Sequence, residues 1–204
     1  MNSERRSVVR LVDDDPAVLK AMKKVLEEEG FLVRTFQSAE DFLINDAGSL
    51  PGCLIVDLKM PKISGLELQK ILKERGFPHP VIFLTAHGEV ESAVLAMKLG
   101  AIDFLQKPIS PIKLVEAVFE ACKLDEENQM ESRDKRLEFL SKLSPRELDV
   151  IGRVLQGLSN KEVGESLGLS KKTIENHRNN AYRKLNVTSI KELRKKYSFH
   201  FLSN

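Results

Sequence analysis

Hydrophobic and polar positions follow two rhythms along this chain, and the rhythm changes near residue 124. In the first part short strand-like runs recur at Val8–Val12, Phe31–Phe36, Cys53–Val56, Val81–Leu84 and Asp103–Gln106. Between them the period becomes helical. Val18, Leu19, Met22, Val25 and Leu26 share one stripe of a helix over Pro16–Glu29, which Gly30 closes. Ser38 is placed to cap a helix carrying Phe42 and Leu43. Ser64–Arg75 is stopped by Gly76 and Pro78, Glu89–Leu99 is stopped by Gly100, and a last helix runs from Ser110 to about Lys123. Five strand–helix units predict right-handed crossovers and a parallel sheet covered on both faces.

This is the flavodoxin-like (βα)5 doubly wound pattern of an α/β domain, here over residues 1–123. Residues 124–140 are polar, with Leu124, Met130 and Leu137 as apolar markers and no Gly or Pro. They read as a linker, either a helical extension of the preceding helix or a semi-rigid tether, and the spacing of Met130 and Leu137 allows a weak coiled-coil contact. Residues 141–204 are helical throughout. Ser144-Pro145-Arg146-Glu147, Ser159-Asn160-Lys161-Glu162 and Ser189-Ile190-Lys191-Glu192 are capping-box strings, Ser170 caps another helix, and Gly157 and Gly168 fall just past helix ends. The prediction is an all-α domain of four short helices with a tight turn at Gly168-Leu169-Ser170.

Composition alters this picture little. Of the 204 residues, 42% are hydrophobic and 30% charged, as in ordinary soluble domains. No apolar stretch approaches the ~20 residues that span a bilayer, so no membrane role is expected. The start, Met1-Asn2-Ser3-Glu4-Arg5-Arg6, is not read as a secretory signal. Cys53 and Cys122 read as buried free thiols rather than a disulfide, which fits a reducing cytoplasm.

Charge is more telling. Residues 1–123 hold 16 Lys and Arg against 18 Asp and Glu, a net of −2; residues 124–140 hold 3 against 6, a net of −3. Residues 141–204 hold 13 against 6, a net of +7. A small basic module behind an acidic one suggests that the tail meets a polyanion.

The candidate chemistry of the first domain lies at strand ends. Val8–Val12 runs into Asp13-Asp14-Asp15, Cys53–Val56 into Asp57, Val81–Leu84 into Thr85, and Asp103–Gln106 into Lys107-Pro108. In an open parallel sheet the carboxyl ends of the strands form the ligand crevice. Asp13, Asp14 and Asp57 crowded there repel one another unless a cation neutralises them, and oxygen-only ligands with open positions suit Mg²⁺. Lys107 adds a fixed positive charge and Thr85 a hydroxyl, an array suited to phosphoryl transfer onto a carboxylate. Asp57, the solitary acid, is the expected nucleophile; Asp13 and Asp14 are the expected metal ligands, and Asp15 is expected at a helix N-terminus.

These strings resemble the receiver domain of two-component response regulators over residues 7–122: Val12-Asp13-Asp14-Asp15, Asp57-Leu58-Lys59-Met60-Pro61, Ser64-Gly65, Thr85-Ala86-His87-Gly88, Gly100-Ala101 and Phe104-Leu105-Gln106-Lys107-Pro108. The resemblance implies that Asp57 takes phosphate from a histidine kinase. It implies Mg²⁺ on Asp13, Asp14, Asp57 and the backbone carbonyl of Lys59, and a switch pair of Thr85 and Phe104. Lys59 and His87, each two residues beyond a site residue, are expected to tune hydrolysis of the phosphoryl group.

The tail reads as helix–turn–helix. Leu158, Val163 and Leu167 pack its first helix, Gly164 allows a close approach, and Ile174, Ala181 and Leu185 give the second helix an inner face. The outer face carries Lys171, Lys172, Arg178, Arg183 and Lys184 as candidate phosphate contacts, and Glu175, Asn176, Asn179 and Asn180 as candidate base readers. Leu143-Ser144-Pro145-Arg146-Glu147, Gly157-Leu158-Ser159-Asn160-Lys161-Glu162, Leu169-Ser170, Thr173-Ile174-Glu175-Asn176-His177 and Lys184-Leu185-Asn186-Val187 are similar to the LuxR-type DNA-binding domain. The resemblance adds Thr173 and His177 to the DNA-binding set, with His177 touching phosphate or packing rather than holding metal. Two departures stand out: Glu175, where many relatives have another residue, and Gly164 in place of a usual Ala, expected to loosen its helix.

Receiver plus this tail resembles the FixJ/NarL family of transcriptional regulators. The expectation is a cytoplasmic, phosphorylation-switched DNA-binding regulator, not a turnover enzyme. Its expected partners are a sensor histidine kinase, a double-stranded operator, RNA polymerase and, on phosphorylation, a second copy of the chain. The family places that dimer contact on Val90–Leu105. Three competing readings are a phosphatase using Asp57, disfavoured because Lys59 stands where such enzymes want a second acid; an RNA-binding antiterminator; and a phosphate sink, which the basic tail argues against.

Overall fold

The computed structural model describes residues 7–46, 48, 50–85 and 90–197; residues 1–6, His87 and the helix start expected at Glu89 lie outside them. The chain separates into two compact units, residues 1–128 and 129–204.

The first unit runs β1 (Val8–Val12), α1 (Pro16–Glu28), β2 (Leu32–Phe36), α2 (Ala39–Asn45), β3 (Gly52–Asp57), α3 (Gly65–Glu74), β4 (Val81–Thr85), α4 (Val90–Lys98), β5 (Asp103–Gln106) and into α5 (Pro111–Lys142). All pairings are parallel, in the order β2-β1-β3-β4-β5. Successive strand residues alternate between faces. Val9, Leu11, Cys53, Ile55, Ile82 and Leu84 therefore form one core with Leu19, Met22 and Leu26 of α1 and with Leu114, Val118 and Cys122 of α5. Val12, Leu54, Val56 and Phe83 form the other with Phe42 of α2, Leu68 and Leu72 of α3 and Ala96 of α4. Cys53 and Cys122 are buried and free. The neighbouring Cys122 thiol and burial together push the Cys53 thiol well above its ordinary range.

Local signals in this unit act where expected, with one difference. Asp15 caps α1 by accepting the Ala17 N–H at 2.8 Å, and Ser38 caps α2. Phe31, expected in the second strand, instead closes α1 by donating its N–H to the Leu26 carbonyl at 3.1 Å. The polar stretch 124–140 is helical throughout as part of α5.

The second unit continues with α6 (Pro145–Leu155), α7 (Asn160–Leu167), α8 (Lys171–Leu185) and α9 (Ile190–Lys196). Ser144 with Glu147 and Ser159 with Glu162 close complete capping boxes. The third string does not close. Ser189 accepts the Glu192 N–H, but the Glu192 carboxylate takes the N–H and hydroxyl of Thr188, both at 2.7 Å. The competing donor one residue earlier wins the carboxylate. Gly168 ends α7 in the left-handed region at φ 65°, turning the chain into α8. Val163 of α7 and Ile174 of α8 meet Val150 and Val154 of α6 in one cluster, while Ala181, Tyr182 and Leu185 pack with Phe139, Ile151 and Leu193 in another.

Candidate functional site

The strand order places the ends of β1, β3, β4 and β5 side by side, and with them Asp13, Asp57, Thr85 and Lys107. Asp13 and Asp57 are buried, at 1% and 6% exposure, as is Thr85. Lys107 reaches across the sheet edge. Its Nζ lies 2.5 Å from Asp57 Oδ1 and 2.7 Å from Asp13 Oδ2. A trans-strand hydrogen bond from Lys107 N to the Thr85 carbonyl at 2.8 Å sets its backbone, and the Lys107–Pro108 peptide is cis. The remaining carboxylate oxygens are held locally: Asp57 Oδ2 accepts the Lys59 N–H at 2.8 Å, and Asp13 Oδ1 accepts the Asp15 N–H at 2.9 Å.

Electrostatics follow from this packing. Desolvation raises the Asp57 carboxyl above the ordinary range, and Asp13 adds to the rise against the opposing pull of Lys107. Burial works to lower the Lys107 ammonium, but its hydrogen bonds to Asp13 and Asp57 prevail and hold it above its ordinary value. The site is a desolvated carboxylate with a fixed cation at hydrogen-bond distance. Gly65 crowns it. A Cβ there would stand 2.3 Å from the Asp57 carbonyl oxygen, so only glycine lets α3 start this close to the end of β3.

Of the three acids singled out in the sequence, Asp13 and Asp57 are buried. Asp14 is exposed, and among the described residues no group of three or more His, Cys, Asp or Glu is arranged to hold a metal ion. Asp13 and Asp57 share an ammonium instead. Two buried carboxylates at one sheet edge still match Mg²⁺, which binds through one or two carboxylates and keeps several waters. Phe104 is half-buried against the core that holds Phe83 and Ala96.

In the second unit, Gly164 of α7 makes the tight turn possible. A Cβ there would lie 2.6 Å from the Leu169 carbonyl, whose own N–H donates to the Gly164 carbonyl at 2.9 Å. The residues expected to touch DNA fall into two groups. Lys171, Lys172, Asn176, Asn179, Asn180 and Arg183 are exposed on α8. The others are engaged within the unit. Thr173 shares a hydrogen bond with the Ser170 hydroxyl at 2.8 Å. Arg178 stacks over the Tyr182 ring at 5.2 Å, donates to its hydroxyl and to Asn160 Oδ1, each at 3.0 Å, and is half-buried. Lys184 donates to the buried Glu147 at 2.7 Å. Glu175 lies 3.8 Å from Lys171, and His177 is half-buried.

Sequence reading missed a polar network at the amino ends of the strands. Arg10, in the middle of an apolar run, is buried with its Nε 2.5 Å from Asp46 and its Nη2 2.8 Å from the Leu50 carbonyl. Asp125, inside the presumed linker, is 1% exposed, accepts the Gly52 N–H at 2.8 Å and lies 2.9 Å from His79 Nδ1. In the sequence Arg10 is marked as a charge inside an apolar run, whereas Asp125 is one acid among several.

Known proteins share both parts. Residues 9–119 match the response regulator receiver domain, and residues 141–195 match the luxR family of bacterial regulatory proteins. The transcriptional regulatory protein TdiR of Thauera aromatica is 41% identical over 189 residues, covering 92% of this chain and 83% of that protein. The FixJ protein of Bradyrhizobium diazoefficiens is 36% identical over 188 residues, covering 91% of each. Among solved structures, the response regulator StyR superposes with a TM-score of 0.63 at 36% identity, covering 95% of this chain and 98% of that one. Full-length FixJ from B. japonicum gives 0.58 at 35%, covering 93% and 95%. Among the described residues no helix is long and apolar enough to cross a membrane. Chains of this organisation regulate transcription rather than turn over a substrate, and the present one belongs with them, as a transcriptional response regulator of a two-component system that joins a receiver domain to a LuxR-type DNA-binding domain.

Proposed function

We propose that Asp57 is the phosphoacceptor. One observation carries the reading: the Asp57 carboxylate is desolvated at the end of β3 with the Lys107 ammonium 2.5 Å away. A carboxylate oxygen forms the new P–O bond as the P–N bond to a kinase histidine breaks, and the imidazole leaves with a proton. Lys107 then pairs with a phosphoryl oxygen, and the Thr85 hydroxyl offers a donor from the neighbouring strand end. Asp13, Asp57 and the Lys59 carbonyl would hold Mg²⁺, with the exposed Asp14 reaching the ion through one of its waters. Bound there, the ion offsets charge between the carboxylates and the incoming phosphoryl group. Lys59 and His87 set the lifetime of the acyl phosphate, and Thr85 with Phe104 transmits its presence.

The output is DNA binding in the cytoplasm. Phosphorylation shifts an existing balance between inactive and active states; the full swing from mostly off to mostly on needs about 5.5 kcal/mol of differential stabilisation. Dimerisation through Val90–Leu105 supplies part of it, and the exposed Val94, Leu95 and Met97 of α4 support that face. Residues 1–123 are the receiver, 124–140 the linker, and 141–204 the DNA-binding domain. Lys171, Lys172 and Arg183 contact phosphates, while Asn176 and Asn179 read bases, with Thr173, Glu175, His177, Arg178 and Lys184 around them. RNA polymerase is the further partner such a regulator meets at a promoter.

The test is duplex binding by the full chain, with and without a small phosphodonor and Mg²⁺, for the native protein and Asp57→Asn. Tighter, dimeric binding on phosphorylation, absent in the variant, is expected. An Asp57 left unmodified by both a phosphodonor and kinase sinks the reading.

A further inference from the structure

We propose that Tyr182 and Asn160 are positioning residues for DNA binding, holding the Arg178 guanidinium ready for a backbone phosphate. The role rests on α8 being the helix that enters the major groove. At about 100° per residue, Arg178 and Tyr182 stand together on one flank of α8. On one side of that flank lies the buried stripe of Ile174, Ala181 and Leu185, and on the other the exposed stripe of Lys172, Asn176, Asn179 and Arg183. A helix in the major groove turns its outermost stripe to base edges and its flanks to the groove walls, which are phosphate backbone. This flank is tied through Asn160 to the start of α7, and in a helix–turn–helix the first helix crosses that backbone.

The electrostatics of Arg178 point the same way. Its guanidinium is half-buried, yet its partners are all neutral: the Tyr182 hydroxyl on Nε, the Asn160 amide oxygen on Nη1, and the face of the Tyr182 ring. Among the described residues no carboxylate pairs with it, although Lys184 of the same helix holds Glu147 and Lys171 lies beside Glu175. Nη2 has no partner among those residues either. A partly desolvated cation is stabilised by a counter-charge, and the Nη1–Nη2 edge is a fork that fits two phosphate oxygens. The clamp also removes an entropic cost. Exposed Lys172 must give up rotamer freedom when it meets a phosphate. Arg178 has given up much of its own on folding, because Tyr182 is only 8% exposed and Asn160 is fixed in the first turn of α7. Loosening the clamp therefore weakens DNA binding without removing a charge.

The experiment measures binding of the full chain, treated with a small phosphodonor and Mg²⁺, to a selected and a random duplex over a range of salt. Chemical denaturation confirms that each variant is folded. Arg178→Gln should flatten the log–log dependence of affinity on salt by about 0.9, equally on both duplexes. Tyr182→Phe and Asn160→Ala keep the charge, so each should leave that slope unchanged and lower affinity by roughly two- to tenfold, the cost of ordering one long side chain. Added to Arg178→Gln, neither should weaken binding further. A native slope in Arg178→Gln overturns the proposal. So does a loss in Tyr182→Phe and Asn160→Ala that is the same with and without Arg178, the mark of a merely structural role. A native chain that binds neither duplex removes the DNA-binding role of α8 itself, and the clamp with it.

Discussion

Lys184 of the exposed helix α8 donates to Glu147 at the start of α6 across 2.7 Å, and Glu147 is only 4% exposed. A side chain that reads in the sequence as a DNA contact is thus part of the internal frame of its unit. Burial works to raise the Glu147 carboxyl, but Lys184 and the Ser144 cap prevail and hold it below its ordinary 4.5. A depressed carboxyl contributes stability above its unfolded value and loses it as the pH falls through the folded one. The second unit should therefore be fully supported above pH 4.5 and weaken below it. Lys184→Met should cost about 1–3 kcal/mol near neutral pH and move the acid-unfolding limb upward, as read by hydrogen exchange of α6 and α8 in the full chain.

Lys107 offsets two buried carboxylates at once. Lys107→Met should leave the fold in place but slow phosphorylation of Asp57 by a small phosphodonor on the order of 100-fold. Mass spectrometry of the acyl phosphate over time measures this. An unchanged rate would show that the ammonium takes no part in charge stabilisation.

Asp125 ties α5 to the start of β3 and to His79. Asp125→Ala strands a buried N–H and a buried imidazole, and should cost about 2–4 kcal/mol in urea unfolding of the receiver. A surface acid of the same helix, Glu127→Ala, should cost almost nothing.

Gly164→Ala sets two effects against each other. Helix propensity favours alanine by roughly 1 kcal/mol. The new methyl, however, would stand 2.6 Å from the backbone oxygen of Leu169, an atom that cannot swing away. The clash should win, giving a net loss of about 1–3 kcal/mol in chemical denaturation of the second unit.

Lys171 and Lys172 are exposed at the start of α8. If each contacts a DNA phosphate, Lys171→Ala and Lys172→Ala should each flatten the log–log dependence of affinity on salt by about 0.9. The loss should be equal for specific and random duplexes. A loss confined to the specific site would mean that they read sequence instead.

Much of this molecule is legible one residue at a time. Five strand-like runs separated by helical periods predict a parallel doubly wound sheet, and the three central ones, β1, β3 and β4, are nearly all apolar because they are buried on both faces. Acid, acid, hydroxyl and amine at successive run ends announce Asp13, Asp57, Thr85 and Lys107, since that topology brings carboxyl ends to one edge. Capping strings mark the helix starts, because a cap is satisfied within three residues of its own chain. What local pattern could not decide was the choice among competing partners. Glu192 had two hydroxyl residues within reach and went to Thr188. Asp14 and Asp13 are neighbours in sequence, yet only Asp13 is turned inward to Lys107. Arg10 breaks an apolar run and Asp125 stands unmarked among other acids, and their partners Asp46, His79 and Gly52 lie 36 to 73 residues away. A buried charge survives only beside its counter-group. Sequence shows that such a charge must be compensated, and only the folded chain decides by which residue.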